Sequence, residues 1–274
     1  MKTWFITGTS KGFGRVWAEA ALKRGDTVAA TARKVEALDD LVRTYGDLVL
    51  PLALDVTDKD AAFAAVQQAH TAFGRLDVVV NNAGYALSGA VEEISEREAR
   101  AQMETNFFGA LWVTQAALPL LRAQGSGHIL QVTSIGGVTA FPTVGLYHAS
   151  KWALEGMMQA LNAEVKDFGI KVTLVEPTDY ATDARGPSAM RADQTPAYAG
   201  LREKAGALFA QTFSEPGDPG ATGPVILELA DMPDPPLRLF LGRGPLGMIR
   251  TEYAERIAEW EKYNALAEDA HGAE

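Results

Sequence analysis

The chain has 274 residues, 47% of them hydrophobic, enough for a sizeable core and within reach of one α/β domain. With 25 basic against 35 acidic residues, its formal net charge of -10 argues against nucleic acid or an anionic membrane surface as the main partner. Cysteine is absent, which excludes disulfides and thiolate chemistry, and the 4 histidines show no clustered pair at metal-ligand spacing.

In chain order, short β-rich runs over residues 3–7, 27–32, 48–54, 76–81, 128–133, 170–175 and 237–241 predict strands. Amphipathic stretches over 12–24, 35–45, 59–73, 95–124 and 144–168 predict helices between them, with a final helix over 249–267 carrying Trp260 and Tyr263 as packing anchors. This alternation implies a single-domain, Rossmann-type, doubly wound parallel sheet of about seven strands with helices on both faces, spanning 1–274. No repeat or linker divides it. Residues 178–220 are rich in Gly, Pro and polar side chains with weak periodicity, the composition of an irregular lid over a site, and 245–270 reads as a C-terminal helical extension. No apolar run approaches the roughly 18 residues that span a bilayer; the longest, 110–121, is interrupted by Thr114, Gln115 and Pro119. The chain enters a strand at once and reaches Gly8 too early for a cleavable signal, so a soluble cytoplasmic protein is expected.

The first strand runs directly into Thr7-Gly8-Thr9-Ser10-Lys11-Gly12-Phe13-Gly14, which opens the first helix. Three glycines permit a tight turn, close approach of backbone to a phosphate and close helix-to-strand packing, and the helix-start amides then face a pyrophosphate. The spacing G-x3-G-x-G differs from G-x-G-x-x-G, so its place between strand and helix carries the argument. An NAD site generally has a carboxylate at the end of the second strand for the ribose 2′-hydroxyl. Here that end reads Ala30-Thr31-Ala32-Arg33-Lys34, with no acid between Asp26 and Glu36. Arg33 is suited to a 2′-phosphate, with Lys11 adding charge from the glycine turn, which favours NADP(H); the alternative is that Arg33 and Lys34 solvate a loop.

Further along, Val132-Thr133-Ser134 is followed by Tyr147-His148-Ala149-Ser150-Lys151. On a helix the i,i+4 spacing places the phenol and the ammonium on one face. A nearby cation lowers the phenol's pKa from about 10 toward the working range, where it exchanges a proton with an alcohol or carbonyl oxygen. Ser134, beyond a glycine-rich connection, can fold back onto the same oxygen. The alternative, a mere surface pair, leaves the matching cofactor turn unexplained. His148 points in a different helical direction from Tyr147 and Lys151, and His128 opens a strand; both read as structural. Tyr85, Val138, Phe141, Leu146, Met190 and Tyr198 are candidates for lining an apolar pocket or for packing.

Together these residues resemble the short-chain dehydrogenase/reductase family over nearly the whole chain. Thr7 to Gly14 is similar to the family's cofactor turn, Asp55-Val56 to the pair that meets the adenine, and Asn81-Asn82-Ala83-Gly84 to the segment closing the fourth strand. Asn106, in Thr105-Asn106-Phe107-Phe108-Gly109, stands where the family has its helix asparagine, and Ser134, Tyr147 and Lys151 complete the tetrad in order. The resemblance implies that Tyr147 is the acid/base and that Lys151 lowers its pKa while bonding the nicotinamide ribose. It further implies that Ser134 orients the substrate oxygen and that Asn106 holds a water. Pro177 and Thr182 match residues near the nicotinamide, but Thr178 stands where the family usually has glycine, which puts the loop path in question. The implied activity is NADP(H)-dependent interconversion of a ketone and a secondary alcohol, with an NAD-dependent alcohol or hydroxysteroid dehydrogenase, or a non-catalytic dinucleotide sensor, as alternatives. The partner is a small carbonyl or alcohol substrate, with no nucleic acid or membrane, and the family's pairing of the helices starting at Ser95 and Val144 implies a homodimer or homotetramer.

Overall fold

Seven parallel strands form one sheet in a computed structural model of the protein, which describes residues 1–182 and 189–272. They are β1 (Thr3–Ile6), β2 (Thr27–Ala32), β3 (Val49–Ala53), β4 (Val78–Asn81), β5 (Gly127–Val132), β6 (Ile170–Pro177) and β7 (Arg238–Leu241). Their spatial order is β3-β2-β1-β4-β5-β6-β7, so the direction of winding reverses between β1 and β4. In such sheets the crevice at the carboxyl ends of the strands beside the reversal is where ligands bind.

Because successive side chains on a strand point to opposite faces, each strand feeds two cores. Phe5, Ala29, Val79, Ile129 and Val172 pack against helices α3 (Lys59–Phe73), α5 (Gly109–Gln124) and α6 (Gly145–Val165). Trp4, Ile6, Val28, Val80 and Leu130 face α1 (Gly12–Lys23), α2 (Asp39–Tyr45) and α8 (Thr222–Asp231). Local chemistry sets the helix ends. Asp58 caps α3 by accepting from Ala61 N at 2.9 Å, and Gly74 and Gly125 close α3 and α5 in the left-handed conformation.

Several elements differ from the sequence expectation. The helix expected over 95–124 is interrupted: α4 (Glu96–Met103), opened by a Ser95–Glu98 capping box, passes through a π-helical segment, Glu104–Phe108, before α5 begins. Such segments concentrate at functional sites, and this one contains Asn106. The stretch over 35–45 starts with a 3₁₀ turn, Val35–Leu38, and only then becomes α2. The stretch read as irregular contains α7 (Ala199–Thr212), none of whose residues is buried. With no apolar face turned to the core, α7 leaves no periodic signal, and α8, which buries Thr222, Ile226, Leu229 and Ala230, is a further helix absent from the sequence expectation. The tail divides at Tyr263 into α9 (Pro245–Lys262) and α10 (Asn264–Asp269). Trp260 and Tyr263 are 65% and 50% exposed, so within this chain they are not packing anchors. Among the described residues no helix is long and apolar enough to cross a membrane.

Candidate active site

The glycine turn is locked to the end of β4 by asparagine and threonine side chains. Asn82 Nδ2 donates to the carbonyls of Thr7 (2.8 Å) and Gly8 (3.1 Å), and the Thr7 hydroxyl accepts from the amides of Asn82 and Ala83, both at 2.9 Å. This packing requires Gly14: a Cβ there would lie 2.5 Å from both Asn82 Nδ2 and the Gly8 carbonyl oxygen. Gly12 differs. Its φ is +61°, and a Cβ at it would meet nothing within 4 Å, so the turn faces open space at the start of α1. A bare backbone turn at a helix N-terminus, open on the side a phosphate would approach, fits the pyrophosphate of a dinucleotide. Ser10 and Lys11 are exposed on this turn, and Phe13 is half-buried, stacked on Trp17 at 5.3 Å between ring centroids.

Arg33, the residue after the last of β2, is exposed, as is Lys34. Asp26, the acid preceding β2, is locked at the far end of the strand by Lys2 N (2.8 Å), Trp4 Nε1 (3.0 Å) and Arg24, unable to reach the ribose end. Asp55 folds into a turn, accepting from the amide (3.0 Å) and hydroxyl (2.8 Å) of Thr57, while buried Val56 occupies the space a side chain at Gly109 would fill. Asp55-Val56 is thereby docked onto the start of α5.

The second half of the site gathers on α6. Lys151 is 6% exposed, donates from Nζ to the Val132 carbonyl at 2.9 Å and stands 5.8 Å over the centroid of the Tyr147 ring. Burial pulls its ammonium down to about 8, opposed by the charge of Glu155. Ser134 caps a 3₁₀ turn, Ile135–Gly137, its Oγ accepting from Gly136 N at 3.0 Å. Gly136 presses on the Tyr147 and His148 rings; a Cβ there would lie 3.3 Å from Tyr147 Cε1 and 2.6 Å from His148 Nδ1. Tyr147, Lys151 and the Ser134 turn are thus brought to one place.

Asn106 joins them through the helix backbone. Its Oδ1 accepts from Tyr85 N (3.1 Å), and its Nδ2 donates to the Tyr85 carbonyl (3.0 Å) and to Ser150 Oγ (3.0 Å), which itself donates to the Tyr147 carbonyl at 2.7 Å. Gly84 makes room, since a Cβ there would stand 3.0 Å from Asn106 Oδ1. Ser150 and Gln102, whose Oε1 accepts from Leu87 N (2.9 Å) and whose Nε2 donates to the Tyr85 carbonyl (3.0 Å), were not singled out in the sequence. Polar residues one position off a motif carry no distinguishing signal until the chain is folded.

His148 is structural here. Its Nε2 accepts from Phe141 N at 2.8 Å, so the ring proton sits on Nδ1 and is donated to the Gly136 carbonyl, also at 2.8 Å. Burial keeps its pKa below the ordinary histidine value, with those two backbone bonds acting the other way. The ring therefore clamps both ends of the connection between Ser134 and Tyr147.

Beyond β6, Thr178 settles the loop path. Its amide donates to the Leu241 carbonyl at 2.8 Å, and its side chain fills the space of the missing side chain of Gly242, which has φ +111°. The room for the threonine is thus provided by a glycine just beyond β7. Tyr180 then packs edge-on against Phe13 (5.0 Å between centroids), linking this loop to the glycine turn, and Thr182 N donates to the Tyr180 carbonyl at 2.7 Å. Residues 183–188 of the stretch expected to form a lid lie outside the described residues. After them, Met190–Arg191 pairs with Leu87–Ser88 in a two-stranded parallel ladder. Glu93 Oε1 accepts from Thr195 N (2.7 Å) and Arg202 Nη1 (2.6 Å), bonds that with one from Ala90 N hold its carboxyl down to about 2. Of the expected pocket residues, Phe141 meets Phe213 on the C-terminal side of α7 (6.2 Å), Val138 is buried, Leu146 half-buried, Met190 exposed, and Tyr198 bonds Glu92.

The short chain dehydrogenase family model matches residues 2–192. An oxidoreductase of Botryotinia fuckeliana, BOA17, is 44% identical over 264 residues, covering 94% of this chain and 93% of that protein. A 3-ketodihydrosphingosine reductase of Bacteroides thetaiotaomicron is 42% identical over 177 residues, 65% of this chain and 63% of its own. Among solved structures, a short-chain dehydrogenase from Streptomyces avermitilis superposes with a TM-score of 0.90 at 39% identity, covering 98% of this chain and 100% of that one. ElxO with NADP bound gives a TM-score of 0.77 at 26% identity, over 90% and 99%.

Proposed function

This chain belongs to the short-chain dehydrogenase family, and from that premise we propose that it is an NADP(H)-dependent ketoreductase interconverting an apolar ketone and its secondary alcohol. The observation that carries the reading is the buried ammonium of Lys151 over the Tyr147 ring, with the Ser134 turn pressed against the same ring.

Tyr147 gives its phenolic proton to the carbonyl oxygen, and Ser134 orients that oxygen by hydrogen bonding. The charge of Lys151 favours the phenolate left behind. Asn106 acts as a positioning residue in this structure, fixing the Tyr85 backbone and, through Ser150, the turn of α6 that bears Tyr147. Gly8, Ser10, Lys11, Gly12, Phe13 and Gly14 would hold the pyrophosphate end of the dinucleotide, Asp55 and Val56 its adenine, and Asn82, Ala83, Gly84, Pro177, Thr178 and Thr182 its nicotinamide half. When bound, the nicotinamide supplies or accepts the hydride. Arg33 at the end of β2, with the nearest preceding acid locked at the other end, supports NADP(H) over NAD(H). The keto-group reductase among the relatives supports the reductive direction and a ketone as substrate.

The segment 178–220 serves as the substrate lid of a single domain, its far side held by the ladder at Met190–Arg191 and by Glu93. The family's usual assembly supports a homodimer or homotetramer, and the absence of a membrane-length helix among the described residues is consistent with a cytoplasmic enzyme. The test is turnover of a ketone and alcohol panel by the purified protein with NADPH and NADH, alongside Tyr147→Phe. Loss of a positioned acid/base costs on the order of 10²–10⁴ in rate, with NADPH binding retained. Full activity of Tyr147→Phe where chemistry limits the rate, or no turnover of any carbonyl or alcohol, overturns the proposal.

A further inference from the structure

One turn beyond Lys151 on α6, Glu155 is buried, with Oε2 3.0 Å from Arg238 Nε and Oε1 without a hydrogen-bond partner among the described residues. Glu176, on β6, is 0% exposed, and neither of its carboxyl oxygens has a hydrogen-bond partner among the described residues. The opposite charge in reach is the same Arg238, with Nε 3.5 Å from Glu176 Oε1. The other end of that guanidinium is committed, Nη2 donating to Gln159 Oε1 at 2.7 Å. The groups facing the two carboxyls are therefore Lys151 and Gln159 from α6, Arg238 from β7 and the Thr133 hydroxyl from the end of β5.

One guanidinium does not support two buried carboxylates. Each buried charge carries a desolvation penalty of several kcal/mol, and two like charges sharing a site push one of the pair to keep its proton. Burial raises the Glu155 carboxyl as well, but Arg238 is closer to Glu155 and the charge of Lys151 also favours its carboxylate, so Glu155 bears the charge and Glu176 the proton. Burial pushes the Glu176 carboxyl up to about 8, the neighbouring Glu155 adds to this, and Arg238 opposes it. An ion pair between α6 and β7 would need Glu155 and Arg238 alone; the second carboxyl, buried without hydrogen bonds, is what such a pair leaves unexplained.

We propose that Glu155 is a positioning residue for the reaction, keeping Lys151 an ammonium while Tyr147 exchanges its proton, with Glu176 holding a proton beside it so that the two buried carboxyls carry one negative charge between them. This rests on reading Tyr147 and Lys151 as the acid/base pair. Lys151 has one backbone acceptor and is pulled by burial toward the neutral amine; Glu155 is the carboxylate that opposes this. Removing a negative neighbour lets an amine lose its proton at lower pH, so Glu155 sets the upper edge of the pH range in which the pair stays charged.

The experiment is NMR titration of the Lys151 side chain in the cofactor-free protein, using lysine labelled at Cε and Nζ and Lys151→Met for assignment. In Glu155→Gln the Lys151 midpoint should fall by roughly one pH unit. Glu155→Asp should restore it. Glu176→Gln, replacing a group that is neutral below pH about 8, should displace the Lys151 midpoint less than Glu155→Gln does. An unmoved midpoint in Glu155→Gln, or equal displacement in Glu176→Gln, overturns the proposal. If Glu155→Gln does not fold, the carboxyl ¹³C shifts of the wild-type protein decide: Glu176 protonated and Glu155 ionised at pH 7 supports it, and any other combination overturns it. The titration needs no substrate. An active Tyr147→Phe therefore overturns the functional reading and with it the role given to Glu155, whereas an unresponsive Lys151 overturns this inference and leaves the functional reading standing.

Discussion

Replacing Gly242 by alanine tests whether the loop after β6 owes its path to the fit of the Thr178 side chain into the space left by Gly242. The backbone of Gly242 has φ +111°, a region that costs a residue with a side chain about 1–3 kcal/mol. Its Cβ would also fall on the Thr178 side chain, and overpacking of that kind costs about 1–3 kcal/mol. The two penalties respond differently to a second change. Thr178→Gly removes the overlap and leaves the strain, so the double variant should recover about 1–3 kcal/mol relative to the sum of the single variants. For a domain of this size each kcal/mol moves Tm by about 2–4 °C, which puts Gly242→Ala on the order of 10 °C below the wild type. Urea and thermal melts of the four proteins give the coupling directly, and NADPH fluorescence titration follows whether the loop carrying Thr182 returns with it. An additive cycle, with Gly242→Ala equally damaging beside threonine or glycine, refutes the reasoning.

Three further outcomes are expected. Arg33→Ala should raise the Kd for NADPH ten- to a hundredfold while leaving that for NADH nearly unchanged, because a charge-assisted contact to phosphate contributes roughly 1.5–3 kcal/mol; titration with both cofactors checks it, and equal weakening of both removes the 2′-phosphate assignment. His128 is buried on β5, its Nε2 2.9 Å from Thr173 Oγ1, and burial, with Lys171 and Lys2 adding, holds its pKa down to about 3. The unfolded chain therefore binds a proton near pH 6.5 that the folded protein refuses, so the protein should lose stability on the order of 5 kcal/mol as the pH falls from about 6.5 to about 3. His128→Gln should flatten that part of the pH dependence in urea melts, and an unchanged slope counts against the assignment. Glu93→Ala should increase hydrogen exchange in the segment from Met190 to Arg202, whose Thr195 and Arg202 bond its carboxylate; unaltered protection there would mean that the ladder alone holds it.

Elements whose burial is periodic and motifs whose chemistry is local can be read from the order of the residues. Strands buried on both faces read as apolar runs, and α1, α3 and α6 carry their apolar residues at helical spacing, so the parallel sheet and its two helical layers were legible. The glycine turn, the missing acid near Arg33 and the Tyr147–Lys151 spacing lie within short stretches of chain and needed no tertiary information. Features that depend on pairs distant in sequence emerge with the folded chain. The π-helical segment arises where Asn106 is drawn to the Tyr85 backbone and Ser150, contacts that no helical periodicity encodes. The place of Thr178 depends on Gly242, 64 positions away, and the meeting of two buried carboxyls at one guanidinium depends on α6, β6 and β7 bringing Glu155 and Glu176 to Arg238. Local pattern reports which face of an element meets apolar surroundings; packing volume and the electrostatics of buried charge are set by neighbours that only the folded chain brings together.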